Sequence, residues 1–308
     1  MVIVFALLAA LSNAVNEATQ HIASTTAPPR SSRWRLVAYL FRNPLWLFGW
    51  VALVAAFVFQ ALALNRGQIS VVQPVLATEL VFMLVLRRFW IHQSVRPVTW
   101  WAAAVTCAGL AVFIAVGQPS GGQATPASKH WLSAGLACCA AAAVLAVLAQ
   151  WGHLKSPALR AALYGSACAV MWALVATFIK ATTDTLTQFG VAGMFTHWPI
   201  YALAVGAVAA LFLMQAALHV GPLRASQPFI VIIDPIVSIA LSAWLFGEHF
   251  TADGAALALA AAGFAVMCAG VVALTQTAPA TMKPDIPEDK EDGEQHGAEG
   301  SQARPAGR

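Results

Sequence analysis

Nine stretches of mostly apolar residues, each about 20 residues long, follow one another along the chain. A helix of about 20 residues crosses the hydrocarbon core of a bilayer, and irregular backbone exposed to lipid is excluded there. The pattern therefore predicts an all-α integral membrane protein with nine transmembrane helices. The predicted spans are residues 2–23, 45–64, 69–89, 98–117, 131–151, 158–180, 197–219, 223–246 and 254–275.

The composition agrees with a bilayer as the solvent of this chain. Hydrophobic residues make up 59% and charged residues 10% of the 308 positions, which lies outside the range of soluble domains. Seven acidic and four basic residues lie in residues 277–308, where large apolar side chains are scarce. Such a segment cannot bury enough apolar surface to become ordered, so we predict a disordered cytoplasmic tail there.

One stretch of the chain occurs twice. A shift of 154 positions places residues 67–90 on residues 221–244, and the match continues downstream without a gap. The two copies lie five spans apart, an odd number, so they cross the membrane in opposite directions. Two inverted repeats are typical of secondary transporters, whose solute site lies near the midplane between the halves. The most informative pairs are Gly67 with Gly221, Gln73 with Gln227, Pro74 with Pro228 and Trp90 with Trp244.

The duplication and the loop charges together predict how the chain is organised. Lys and Arg number ten in the loops on one side of the membrane and three on the other. Because the more basic side faces the cytoplasm, we predict an outer N-terminus and a cytoplasmic C-terminus in the cytoplasmic (plasma) membrane. The predicted units are the first repeat at 1–130, the fifth helix at 131–152, the second repeat at 153–276 and the tail at 277–308.

The first predicted helix is the least apolar of the nine, and four of its polar residues are separated by three, one and three positions. Their spacing places all four on one face of the helix. A face of this polarity cannot lie against lipid, so we expect it to line the bundle interior or a watery cavity. The four residues are Asn13, Asn16, Glu17 and Gln20.

Two further carboxyl groups, Glu79 and Asp234, fall near the middle of the third and eighth spans. The repeat register places them one residue apart, so we expect both near the midplane between the halves. Prolines in the same spans remove helix hydrogen bonds, which predicts broken helices around a central site. The remaining candidates for solute binding are Gln60, Gln73, Gln215 and Gln227, and the helix-breaking positions are Pro74, Pro228 and Pro235.

Known motifs of enzyme and metal chemistry are missing from the sequence. It contains no GxxxxGK[ST], HExxH or GxSxG motif and no Asp-rich diphosphate motif, so we expect neither an enzyme nor a cofactor. The five cysteines lie inside apolar runs without CxxC spacing, and the eight histidines are scattered, mostly at helix ends. We therefore expect no metal site.

The second repeat carries a glycine, a proline about one turn into the next span, a second proline at mid-span and the sequence LFGEHFT. Here these are Gly221, Pro228, Pro235 and residues 245–251. The pattern resembles the drug/metabolite transporter superfamily, specifically its EamA-like and NIPA-like members. The resemblance implies nine or ten helices in two inverted halves. It also implies transport of small metabolites, or of magnesium in NIPA-like members, without hydrolysis of a nucleotide.

Two charged residues near predicted helix ends receive structural interpretations. The first repeat has Ser94 where the second has Glu248, so we expect Glu248 to be a loop or capping residue and not half of a symmetric site. Lys180 lies near the end of the sixth span, and we expect its ammonium group to reach the membrane surface.

These observations predict a secondary transporter that moves a small metabolite or drug-like solute by alternating access, coupled to protons or another ion. The expected partners are the solute and membrane lipid, and not nucleic acid, because the basic residues are spread over short loops. A homodimer is left open. The alternatives are a magnesium or divalent-cation transporter that uses Glu17, Glu79 and Asp234 as oxygen ligands, and a membrane scaffold that transports nothing.

Overall fold

The computed structural model describes residues 1–25, 43–122, 128–150, 156–221 and 223–277. Within these ranges the chain is almost entirely α-helical, and nine helical segments are long and apolar enough to cross a membrane, which confirms the predicted number. The basic residues 26–42 between the first two spans and the acidic residues 278–308 lie outside the described residues. The helices are α1 (Val2–Thr25), α2 (Pro44–Arg66), α3 (Ile69–Leu76), α4 (Glu79–Phe89), α5 (Pro97–Gly117), α6 (Ser128–Gln150), α7 (Pro157–Thr196), α8 (Pro199–Val220), α9 (Leu223–Phe246) and α10 (Gly254–Thr277).

Several helices begin where the local sequence favours a first turn. Helices α2, α5, α7 and α8 each begin at a proline, whose fixed φ and missing N–H suit that position. The Asn43 side chain accepts a hydrogen bond from Leu45 N at 2.9 Å before α2. Ser156 Oγ accepts one from Leu159 N at 3.4 Å before α7. These side chains satisfy donors that the first turn leaves without a helical partner.

The third span is divided into α3 and α4 by a turn at Ala77 and Thr78. The amide and the hydroxyl of Thr78 both donate to Val75 O, at 3.0 and 2.7 Å. In an α-helix this carbonyl would accept the Glu79 amide, so the Thr78 bonds replace a helical bond just after Pro74. A threonine hydroxyl that bonds a backbone carbonyl of its own helix slightly destabilises the helix and often bends it.

The eighth span differs from the prediction, because α9 runs without a break through Pro228 and Pro235. The helix-breaking role predicted for these two prolines is therefore wrong. The position that matches Thr78 in the repeat register is Ile232, and its side chain cannot bond a carbonyl. A proline alone removes one helix hydrogen bond, which membrane helices tolerate.

Helix α7 is much longer than the predicted span of residues 158–180. It continues to Thr196, with helical geometry interrupted at Gly190, where φ is 70°. The residues after Lys180 are too polar to join an apolar stretch, yet they contain no helix-breaking residue before Gly190. Among the nine spans α7 is the most buried, and it packs against α6, α8 and α9, so it forms the centre of the bundle.

Two glycines bring α5 and α10 into backbone contact. A Cβ atom on Gly109 would lie 2.6 Å from Gly263 O, and one on Gly263 would lie 3.0 Å from Gly109 O. Small residues allow this close approach of membrane helices. The loops at one end of these helices also pair: β1 (Pro119–Ser120) and β2 (His249–Phe250) form a two-residue antiparallel ladder, which was not predicted because hydropathy does not register so short an element.

The turns at Gly67 and Gly221 are equally close to neighbouring helices. A Cβ atom on Gly67 would clash with the Val2 side chain at the start of α1. One on Gly221 would lie 2.5 Å from Pro157 O at the start of α7. At most two residues separate α2 from α3 and α8 from α9, so the chain re-enters the bundle at once in both places.

Candidate functional site

Polar and carboxyl side chains meet at the break in the third span. Glu79 is the first residue of α4, so it lies at a helix N-terminus, where the peptide dipoles favour negative charge. Asn13 and Glu17 of α1 are within hydrogen-bonding range of the Glu79 carboxyl group. A hydrogen bond between two carboxyl groups requires a proton on one of them, so Glu17 and Glu79 can share a proton.

The predicted polar face of α1 is divided between two neighbours. Asn13 and Glu17 face α4, as their contacts with Glu79 show. Gln20 Nε2 donates to Asn16 Oδ1 at 2.6 Å, and both residues lie beside Gly49 of α2. The Asn16–Gln20 pair therefore helps to pack α1 against α2, whereas Asn13 and Glu17 belong to the site.

The two glutamates of the site are partly open to the space outside the protein. Glu17 is exposed and Glu79 is half-buried, although many protein atoms surround both side chains. This combination is typical of residues that line a cleft. Arg87, about two turns after Glu79 on α4, is close enough to attract the Glu17 carboxylate, so the cleft also contains a positive charge.

Asp234 reaches the same region from α9. Ser238 Oγ donates to Asp234 Oδ1 at 3.1 Å, and Asp234 is close enough to Glu79 for the two charges to repel. The structure thus brings together three carboxyl groups from the first, third and eighth spans. Within the described ranges, no group of three or more His, Cys, Asp and Glu side chains is compact enough to hold a metal ion.

The four predicted glutamines are spread over the bundle. Gln73 is buried in α3, with 3% of its surface exposed. Gln60 and Gln227 are half-buried, and Gln215 is exposed on α8. Gln73 is therefore the most enclosed of the four, and it lies one turn after the start of α3.

A second charged group, formed by Lys180 and Glu248, lies at the start of α3. The sequence did not predict that these two residues pair. Lys180 Nζ and Glu248 Oε1 are 3.1 Å apart, with side-chain exposures of 11% and 1%. The prediction that Lys180 reaches the membrane surface is wrong, because this buried carboxylate binds its ammonium group. The expectation that Glu248 is a loop or capping residue is confirmed, since it lies after α9 and bonds the first amides of α3.

Both oxygens of Glu248 accept hydrogen bonds from α3. Ile69 N donates to Oε1 at 2.9 Å, and Ser70 donates to Oε2 through its amide at 3.1 Å and its hydroxyl at 2.7 Å. Burial by itself would raise the pKa of Glu248, but the charge of Lys180 and these donors together outweigh burial and hold the pKa below its ordinary value. The carboxylate is therefore ionised at neutral pH.

Four aromatic rings pack beside the ion pair. Trp131 of α6 lies 5.7 Å from Phe178 and 5.8 Å from Phe246 between ring centroids, and Trp198 lies 5.2 Å from Trp131. The Lys180 ammonium is 4.9 Å from the centroid of Phe246, a distance at which an aromatic face attracts a cation. Phe246 thus links the aromatic cluster to the ion pair.

Comparison with known proteins finds a relative that aligns over almost the whole chain. The chain is 30% identical over 280 residues to a protein of Corynebacterium glutamicum described as an uncharacterized protein. The aligned region covers 90% of this chain and 95% of that protein. The chain belongs to the same family as that protein. No family model matches the chain, and no solved structure matches it.

This family member thus carries two charged groups at different depths of one bundle. The first is acidic, borders a cleft and can hold a proton between Glu17 and Glu79. The second, formed by Lys180 and Glu248, is buried and is hydrogen-bonded to the first residues of α3 and to the turn before them. The chemistry available to the first group is proton exchange and attraction of cationic groups, and the second group connects helices.

Proposed function

We propose that this protein is a secondary transporter that moves a small metabolite or drug-like solute across the cytoplasmic membrane by alternating access. The observation that carries the proposal is the meeting of Glu79, at the start of a half-helix, with Glu17 of α1 and Asp234 of α9. Ionisable residues inside membrane spans are typical of ion and solute pathways. Half-helices near the midplane build the central sites of many transporters.

Contacts at repeat-related positions support two inverted halves. Gly109 and Gly263 match in the repeat register, and each lies against the carbonyl of the other. Gly67 and Gly221 also match, and each lies against the start of a helix, α1 or α7. Halves related in this way can open alternately around a site between them, as the resemblance to EamA-like transporters implies.

The proposed orientation follows the loop charges and places the N-terminus and Glu248 outside. Arg87, near the end of α4, then lies toward the cytoplasm, and the exposed Glu17 lies in the cytoplasmic half of α1. A proton shared by Glu17 and Glu79 can be released to one side and replaced from the other as access alternates. The proposed coupling is therefore to protons, with Asp234 as the carboxyl group contributed by the second half.

The test is flux into vesicles that contain the purified protein. A panel of metabolites and cationic drugs is supplied with and without a pH gradient, and Asp234→Asn and Glu79→Gln are compared with the unaltered chain. Both variants should lose gradient-driven flux, whereas Asp234→Asn should keep exchange of solute against solute. The matched control is Asp253→Asn, because Asp253 is an exposed carboxylate in the loop before α10 and its loss should leave flux unchanged.

Each alternative has its own outcome in this test. No solute-dependent flux across the whole panel would contradict transport and favour a scaffold. Magnesium flux that depends on Asp234 would favour the divalent-cation alternative. Full gradient-driven flux in both carboxyl variants would show that the acidic group is structural and that the coupling mechanism is wrong.

A further inference from the structure

Glu248 connects the second half of the bundle to the first. It follows α9, yet within the described part of the chain its side chain accepts one hydrogen bond from Ile69 and two from Ser70 of α3, in addition to the one from Lys180. Ile69 and Ser70 are the first residues of a half-helix, whose amides have no helical acceptor. The carboxylate therefore serves as the cap of α3, supplied from the other half of the protein.

Lys180 adds a fourth hydrogen bond between the halves. Its ammonium group donates to Gly67 O at 3.3 Å, in the turn that joins α2 to α3, and to Glu248 Oε1 at 3.1 Å. A buried charge that loses its partner is strongly destabilising. The halves can therefore separate here only if water replaces these partners.

The Lys180–Glu248 pair and the acidic site lie at different depths of the membrane. Gly67 contacts Val2 at the start of α1, so the pair is at the end of the bundle where α1 begins. Glu17 is 15 residues further along α1, which corresponds to about 22 Å at 1.5 Å per residue. The charges at this end are buried and hydrogen-bonded, whereas Glu17 is exposed.

The element that the pair holds is short and is bounded by a turn at each end. Helix α3 has only eight residues and ends at the turn formed by Ala77 and Thr78. A short helix between the turn at Gly67 and this break can change its position without bending a continuous span. Release of its N-terminus would then open a path from this end of the bundle toward Glu79.

We propose that Lys180 and Glu248 form a gate, which closes the transport path at the N-terminal end by holding the start of α3 and opens when these four hydrogen bonds between the halves are exchanged for water. The inference rests on the proposed transport function, because a gate has a role only if a solute passes through the protein. The gate itself is tested by accessibility, which needs no knowledge of the solute.

The readout is the reactivity of a cysteine introduced by Gln73→Cys in the otherwise complete chain. Gln73 is 3% exposed. It lies three residues after Ser70 and four after Ile69, so it is on the same face of α3 as these residues and one helical turn further into the bundle. A membrane-impermeant, positively charged methanethiosulfonate is applied from each side in turn. Labelling is located by mass spectrometry, and the native Cys138, which is buried in the core, reports any general loosening.

Weakening the gate should increase labelling from the N-terminal side in a graded order. Ser70→Ala removes one hydroxyl donor and should raise the rate about 2- to 10-fold, the factor expected for an ordinary hydrogen bond. Glu248→Gln removes a charged acceptor and should raise it roughly 10- to 100-fold. Cys138 should stay unlabelled. The exchange of charges in the double variant Lys180→Glu with Glu248→Lys should not restore closure, because a lysine cannot accept the α3 amides.

Several results would overturn the gate. One is an unchanged labelling rate at position 73 in folded Ser70→Ala and Glu248→Gln; another is an equal rise in the Asp253→Asn control. A rise that is matched at Cys138 would show general loosening instead. If the Glu248→Gln protein does not fold, the labelling rate measured in Ser70→Ala decides whether the gate is present. Increased labelling without any solute flux would contradict the transport function and leave the movable contact established. Solute flux without a change in labelling would contradict the gate and leave the transport function established.

Discussion

The contact between α5 and α10 depends on the absence of a side chain at Gly109, and Gly109→Ala tests this. A Cβ atom there would clash with the backbone N of Met267 and lie 2.6 Å from Gly263 O. Both neighbours are backbone atoms of α10, so neither can rotate away as a flexible side chain could. The two helices must therefore move apart or bend to admit one methyl group.

Two opposing terms set the magnitude. Alanine favours a helix over glycine by about 1 kcal/mol, whereas an extra methyl group in a filled space costs about 1–3 kcal/mol. Because the clash is with backbone, we expect the upper part of that range and a net loss of about 1–2 kcal/mol in the free energy of unfolding. At about 2–4 °C per kcal/mol, the apparent Tm should fall by roughly 2–8 °C.

The matched control is Gly135→Ala in α6, where a new Cβ atom would meet nothing within 4 Å. It gains the helix-propensity term alone, so its Tm should stay equal to or rise above that of the unaltered chain. Thermal unfolding of the purified proteins in one detergent, followed by tryptophan fluorescence and gel filtration, compares the two variants. A Gly109→Ala protein as stable as Gly135→Ala would show that the two backbones are not in the described contact.

Two further predictions concern Glu248 and Thr78. Since the pKa of Glu248 is held below its ordinary value of 4.5, its stabilising contribution is complete above that pH and is lost as the pH falls through the folded pKa. The Tm difference between the unaltered chain and Glu248→Gln should therefore be constant near neutrality and shrink in acid; a difference that persists in strong acid would contradict the assigned ionisation. Thr78→Val removes the hydroxyl donor from Val75 O and leaves the backbone amide of position 78, so the carbonyl gains room to accept the Glu79 amide as well. Hydrogen exchange of the Glu79 amide should then slow about 2- to 10-fold, whereas unchanged exchange would show that the break is maintained without the hydroxyl.

The sequence by itself determined the number of spans and most of their bounds. Backbone groups in a bilayer must be bonded within their own helix, so a long apolar stretch has one available structure regardless of its neighbours. The last span shows this: the prediction is residues 254–275 and α10 covers Gly254–Thr277. The carboxyl groups Glu79 and Asp234 were also recognisable, because an acid in an apolar stretch needs a partner wherever the helix packs.

The sequence was less informative where a helix leaves the apolar environment. Helix α7 continues beyond Lys180 to Thr196, and hydropathy cannot follow a helix into polar residues. The two copies also differ at one side chain close to these prolines. Thr78, at the break in the third span, has a hydroxyl that bonds the Val75 carbonyl, whereas Ile232 at the matching position in the continuous helix α9 has none.

The pairing of Lys180 with Glu248 was decided by the tertiary structure alone. Both charges lie near span ends on the same predicted side of the membrane, which is the one sequence signal that connects them. From the sequence alone, a lysine at a helix end is expected to extend its ammonium group into water. Here α7 is the central helix and Lys180 meets the loop after α9 and the turn after α2, so water is replaced by a carboxylate and a carbonyl. Which partner a charge finds depends on how distant segments pack, and residue spacing along one helix does not contain that information.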